Sequence, residues 1–141
     1  MKTMRKTLTL GLVALLLLVA LPTVFAQDVT PSVTVEDQEF QDGTVTVASV
    51  VSDGPGWIVI HTDQDGAPGP VAGYAAVMDG ENTNVVVEID VTMATETLYA
   101  MLHTDDGTVG TYEFPGGDPP VQVEGQVVTP AFTVTGLPAM E

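Results

Sequence analysis

The chain has 141 residues, with 19 Asp and Glu against 3 Lys and Arg, a formal net charge of −16, and no cysteine. All the basic residues (Lys2, Arg5, Lys6) lie in the first six positions, so from Gln27 onward there is neither Lys nor Arg, while every carboxylate remains. A surface without cations cannot displace phosphate counterions, which excludes nucleic acid and disfavours anionic membranes and phosphorylated ligands; the missing thiols exclude disulfides, thiolate metal sites and a cysteine-ligated copper centre.

The chain opens with a basic stretch, Met1–Lys6, followed by an apolar run from Leu8 to Ala20 and small residues up to Ala26. That order describes a secretory signal peptide cut near Ala26. The run is short for a membrane span and no second one follows, so the mature chain is expected to have no stable span and to be secreted, periplasmic or cell-surface. The expected organisation is a signal peptide at 1–26, a flexible segment at 27–31, one domain at 32–135 and a tail at 136–141.

Beyond residue 26 there are 20 Val and 15 Thr but only 3 Leu and 3 Ile. β-Branched side chains lose rotamer freedom in helices and pack well on a pleated surface, so the domain reads as all-β. Asp-Gly turn signals at 42–43, 53–54, 65–66, 79–80 and 106–107 separate runs of strand length. In chain order these runs are Val33–Glu36, Thr44–Val51, Trp57–Ile60, a looser Val71–Met78, Asn84–Val91, Thr97–His103 and Val109–Phe114. Val121–Val123 and Gln126–Val128 follow, flanking a Glu124-Gly125 hairpin turn, and then Phe132 to Val134. Trp57–Ile60 is apolar on both faces and reads as central, as does Thr97–His103. Pro115–Pro120 reads as a long exposed loop, and Thr92–Thr97 has room for one helical turn. Seven to nine short antiparallel strands match an immunoglobulin-like sandwich.

One internal echo carries the candidate chemistry. Trp57-Ile58-Val59-Ile60-His61-Thr62-Asp63-Gln64-Asp65-Gly66 is answered by Tyr99-Ala100-Met101-Leu102-His103-Thr104-Asp105-Asp106-Gly107, and the two segments hold both histidines of the chain. Two imidazoles near carboxylates suit zinc or cupric copper, with Met101 or Met78 as an added ligand. Against this, each His ends a buried strand and each Thr-Asp starts a turn, where those side chains bond the local backbone. If the two strands are antiparallel neighbours, backbone spacing of about 3.3 Å per residue sets the histidines more than a coordination sphere apart. Asp63, Asp65, Asp105 and Asp106 form the other candidate set: acidic turns that fit weak calcium binding but lack the further ligands of a complete calcium loop. No cofactor other than weakly held calcium is expected.

Catalysis finds little support. Ser32, Ser49 and Ser52 sit on or beside strands, outside any nucleophile-elbow context. No Lys or Arg is present to stabilise an anionic transition state. Crowded carboxylates without basic partners are expected to have raised pKa values, so that the fold gains stability as pH falls toward 5.

Val33-Thr34-Val35-Glu36-Asp37-Gln38, Gly56-Trp57-Ile58-Val59-Ile60-His61, Tyr99-Ala100-Met101-Leu102-His103 and Tyr112-Glu113-Phe114-Pro115-Gly116 resemble an uncharacterised domain family. It is a domain of unknown function found in secreted and surface proteins of bacteria and haloarchaea. The resemblance spans Ser32 to Thr135. It implies a β-sandwich and an extracellular location, and it transfers no activity and no functional residue. The sequence thus reads as a secreted, non-enzymatic β-sandwich module with a surface-interaction or structural role, its partner an extracellular ligand or envelope component. The alternatives are an extracytoplasmic metal-binding protein using the residues above, and a fibre subunit assembled by strand addition.

Overall fold

The computed structural model describes residues 28–139; the signal-peptide reading of 1–26 lies outside them. The described chain is all-β, with ten strands. They are β1 (Ser32–Thr34), β2 (Gln38–Glu39), β3 (Thr44–Ser52), β4 (Gly56–Gln64), β5 (Ala67–Val77), β6 (Gly80–Glu88), β7 (Thr97–Thr104), β8 (Gln122–Val123), β9 (Gln126–Val127) and β10 (Ala131–Thr135). One sheet has the order β1-β3-β6, a second β2-β10-β7-β4-β5, and β8 and β9 form a small ribbon. All pairings are antiparallel except β2 with β10.

Both larger sheets contribute to one apolar cluster. Val45, Val47 and Val50 of β3 and Val87 of β6 meet Ile58 and Ile60 of β4, Leu98, Ala100 and Leu102 of β7, and Phe132 and Val134 of β10. With no disulfide and no Lys or Arg to pair, this burial is the main cohesive term, at roughly 1.5–3 kcal/mol per fully buried aliphatic side chain. The sheets are also stitched at a corner, where the Asp90 N–H donates to the Ala72 carbonyl at 2.8 Å.

The central positions expected for the Trp57 and Tyr99 strands hold: β4 and β7 lie inside the five-stranded sheet. The hairpin at Glu124-Gly125 is also present, with φ of 52° and 80° and Val123 paired to Gln126. Both residues adopt the left-handed conformation that a two-residue turn between twisted strands requires.

Two expectations need correcting. Val109–Phe114 is not a strand: Thr111 N–H donates to the Thr108 carbonyl, Gly110 has a φ of 83°, and Val109 stays 72% exposed. The turn removes the first half of the run and frees Tyr112 and Phe114 to pack elsewhere. Pro115–Pro120 is not simply an exposed loop either. Asp118 within it is fully buried, and Pro120 bridges to His103.

Candidate functional site

Alternation along β4 and β7 sends Ile58, Ile60, Leu98, Ala100 and Leu102 into the shared core. It therefore places Trp57, Val59 and His61 of β4, and Tyr99, Met101 and His103 of β7, on the opposite face of the sheet. In a half-buried sheet that face would be wet. Here Trp57, Val59, His61, Met101 and His103 are all buried, His61 at 5% exposure and His103 at 0%.

The segment from Asp105 to Val121 covers the Trp57–His103 end of this face. Phe114 sets its edge against His103 at 4.8 Å between ring centroids, and Tyr112 lies 5.7 Å from Trp57 and stacks on Tyr74 of β5 at 4.1 Å. Asp118 fastens the segment down. Its carboxylate accepts the Asp106 N–H at 2.8 Å and the Glu113 N–H at 2.7 Å, and its backbone carbonyl accepts from His103 Nδ1 at 2.7 Å. On the other side of the face, His61 Nδ1 bonds the Gly69 carbonyl at 2.8 Å.

The two copies of the sequence echo are therefore β4 and β7 themselves, paired antiparallel. Trp57 stands opposite His103, His61 opposite Tyr99, and Val59 opposite Met101. The register places a local two-fold relation at the Val59–Met101 pair, with each histidine facing the other copy's aromatic residue. The relation extends to the turns. Tyr99 donates its phenol O–H to Asp63 Oδ1 at 2.9 Å, a bond that holds the Tyr99 phenol above its ordinary pKa. The corresponding groups of the other half, Trp57 Nε1 and Asp105 Oδ1, are both buried without a hydrogen-bond partner.

The histidines do not lie apart as backbone spacing implied. Their rings are 6.0 Å apart between centroids and tilted by 15°. Four residues of strand separate the two positions, but both side chains stand on one face and incline toward its centre. His61 also sits where the β4–β5 register shifts on both sides of it, and such irregularities re-aim a side chain.

A carbonyl only accepts, so each Nδ1 carries the ring proton in the neutral imidazole, and Nε2 is left with its lone pair. Both Nε2 atoms are buried and have no hydrogen-bond partner. Burial lowers the pKa of His103, with the Asp118 carbonyl bond opposing and His61 adding to the shift. The site is thus a buried layer holding two imidazoles in one tautomer, with Met101 at the middle of the same face.

The four aspartates of the turns do not join it. Asp63 ends β4 and Asp65 lies in the β4–β5 turn, while Asp105 and Asp106 follow β7, at the other end of the antiparallel pair. Asp63 Oδ2 accepts from the Gly66 N–H at 3.4 Å and Asp105 Oδ2 from the Gly110 N–H at 2.7 Å. Among the described residues no three or more His, Cys, Asp or Glu side chains gather as they would around a metal ion. Met78, the other soft-ligand candidate, is 76% exposed beyond the end of β5.

Sequence reasoning did not find Tyr112, Phe114, Asp118 or Gly69. Tyr112 and Phe114 were visible as strand-like alternation and in a segment carrying the family resemblance, neither of which gave them a role, and nothing near Asp118, between Gly117 and Pro119, signals burial. The aromatic pair within a turn-rich stretch was the one available clue that the segment packs inward.

A family model described as a domain of unknown function, DUF7282, matches residues 31–135. The chain belongs to this family. Over 108 residues it is also 32% identical to Cell surface glycoprotein 2 of the haloarchaeon Haloarcula hispanica, a match covering 75% of this chain and 12% of that protein. The chain thus corresponds to about an eighth of that relative's length. No solved structure matches.

Proposed function

We propose that this chain is a secreted or surface-exposed, non-enzymatic module, folded as an immunoglobulin-like β-sandwich and released from a signal peptide near Ala26. The observation that carries this reading is modular: a stretch of nearly this whole domain recurs as a small fraction of a cell surface glycoprotein. A unit matching one stretch of a larger envelope protein suits a building block or an interaction surface.

A depression of about 440 Å³ lined by Gly107, Thr108, Glu113, Gly116 and Gly117 contains one carboxylate. That carboxylate, Glu113, already accepts the Thr108 N–H at 2.7 Å. The sandwich reading draws support from the single core shared by two sheets and from the interior placement of the Trp57 strand. Among the described residues no helix is long and apolar enough to cross a membrane.

Fractionation of native cells, with intact mass of the recovered chain, tests the reading. The expected result is a chain beginning at or near Gln27 in the medium or envelope fraction. A cytoplasmic chain that retains Met1–Ala26 would overturn it.

A further inference from the structure

Beyond a module role, we propose that His61 and His103 form a buried binding site for one soft monovalent metal cation, cuprous copper, held between their Nε2 atoms beneath the Asp105–Val121 segment. Three observations converge on it. Each Nδ1 is committed to a carbonyl, Gly69 for His61 and Asp118 for His103. Such bonds fix ring orientation and tautomer for metal-ligating histidines. Each Nε2 is left buried with no partner, on side chains 5% and 0% exposed.

The ring separation fits as well. A metal–nitrogen bond of about 2.0 Å, plus about 1.1 Å from nitrogen to ring centre, sets two imidazoles on one ion no more than about 6.2 Å apart. The observed separation, 6.0 Å between the centroids of the stacked rings, lies within that limit.

The donor set selects the ion. Zinc takes four ligands in its structural sites, and among the described residues no third His, Cys, Asp or Glu joins the two imidazoles in a metal-holding group. A closed-shell monovalent ion is satisfied by two nitrogen donors in line. Ion desolvation also rises steeply with charge, so a buried layer with neutral ligands admits a single charge far more readily than a double one. Met101, 8% exposed and opposite Val59 at the centre of the face, offers a thioether, the ligand type that favours Cu(I). The chain's many carboxylates raise the local concentration of any cation without entering the site.

The test uses the full chain without an affinity tag, loaded anaerobically by dilution from denaturant so that slow access to a buried site cannot hide binding. Cu(I) is titrated against a coloured Cu(I) chelator, and nitrogen-15 spectra of the imidazoles are followed with Ag(I) as a diamagnetic probe. One equivalent is expected to bind, moving both Nε2 resonances together. His61→Asn and His103→Asn keep a donor near the Nδ1 position but remove Nε2. Each should weaken binding by at least about 100-fold, the upper range for losing an outer-shell partner, while the cooperative thermal transition is retained. Met101→Leu should weaken it by a smaller factor.

Failure of the wild-type chain to bind one equivalent would overturn the proposal, as would unchanged affinity in the folded double histidine variant. The second result moves any binding to exposed sites such as Met78. If the histidine variants do not fold, movement of only one Nε2 resonance in the wild-type chain, or of neither, overturns it independently. Neither failure bears on whether the chain is a surface module.

Discussion

His103 has lost its water on every side, and a charged imidazole there would be poorly solvated. The groups facing it are His61 from β4 and Tyr112, Phe114 and Asp118 from the covering segment; burial outweighs the favourable Asp118 contacts, and the folded-state pKa falls below the usual value. The unfolded chain, with a histidine pKa of about 6.5, then binds the extra proton more readily than the fold does. The contribution is fully present above that pH and is lost as pH falls through it. Metal-free protein should therefore melt at a lower temperature at pH 5 than at pH 7, and His103→Gln should flatten the difference. Asp90 acts in the same sense at more acidic pH, because its bonds from Thr92 lower its pKa. Both directions run against the acid stabilisation expected from repelling carboxylates, and a melting temperature that rises from pH 7 to 5 would show that the repulsion outweighs them. A second prediction concerns Asp118. Removing its carboxylate by Asp118→Ala frees the Asp106 and Glu113 N–H groups, at a cost of about 2–4 kcal/mol in urea unfolding. It should also let the Tyr112 phenol, pushed up to about 12 mainly by burial, titrate nearer its ordinary value. Both histidines and their repeat were plain in the sequence. Their convergence was not, because spacing along a strand locates Cα atoms and says nothing about which way two long side chains incline.

At the scale of elements, what was legible followed local rules. β3, β4, β7 and the β8–β9 hairpin announce themselves by alternation, by two-faced apolarity and by a turn whose residues accept positive φ. β5 was harder to read. It runs eleven residues through Pro68, Gly69, Pro70 and Gly73, a composition that argues against a strand. It persists because it lies at the edge of its sheet, where a missing N–H on one side goes unnoticed. Those prolines also make β5 a poor template for strand addition, which weighs against assembly into a fibre along this edge. Gly73 has a separate cause. A Cβ there would collide with the Glu88 backbone carbonyl, where β5 passes the end of β6. Gly73→Ala should therefore destabilise by about 1–3 kcal/mol, the cost of overpacking; denaturant melts that match the parent would show that the two sheets are not joined this closely.

Across the whole molecule, 19 carboxylates and no Lys or Arg beyond residue 6 leave the fold without cationic side chains to offset its charge. Mutual repulsion is larger in the compact state than in the expanded one. Sodium chloride, which shortens the Debye length from about 10 Å at 0.1 M to about 3 Å at 1 M, should raise the melting temperature across that range. A flat or falling dependence would mean that the carboxylates are spaced widely enough to ignore one another.

The antiparallel pairing of the two echoed segments also dictates an order of events. β4 and β5 are joined by a tight turn and can zip at once, whereas β4 must wait for β7, whose partner residues lie some forty positions farther along the chain. Contacts that close long loops form slowly, because the chain loses that entropy before the contacts compensate it. Until β7 arrives and the Asp105–Val121 segment settles across it, both imidazoles are open to solvent. An ion held between them would therefore enter most easily while the chain folds, from the compartment in which folding takes place.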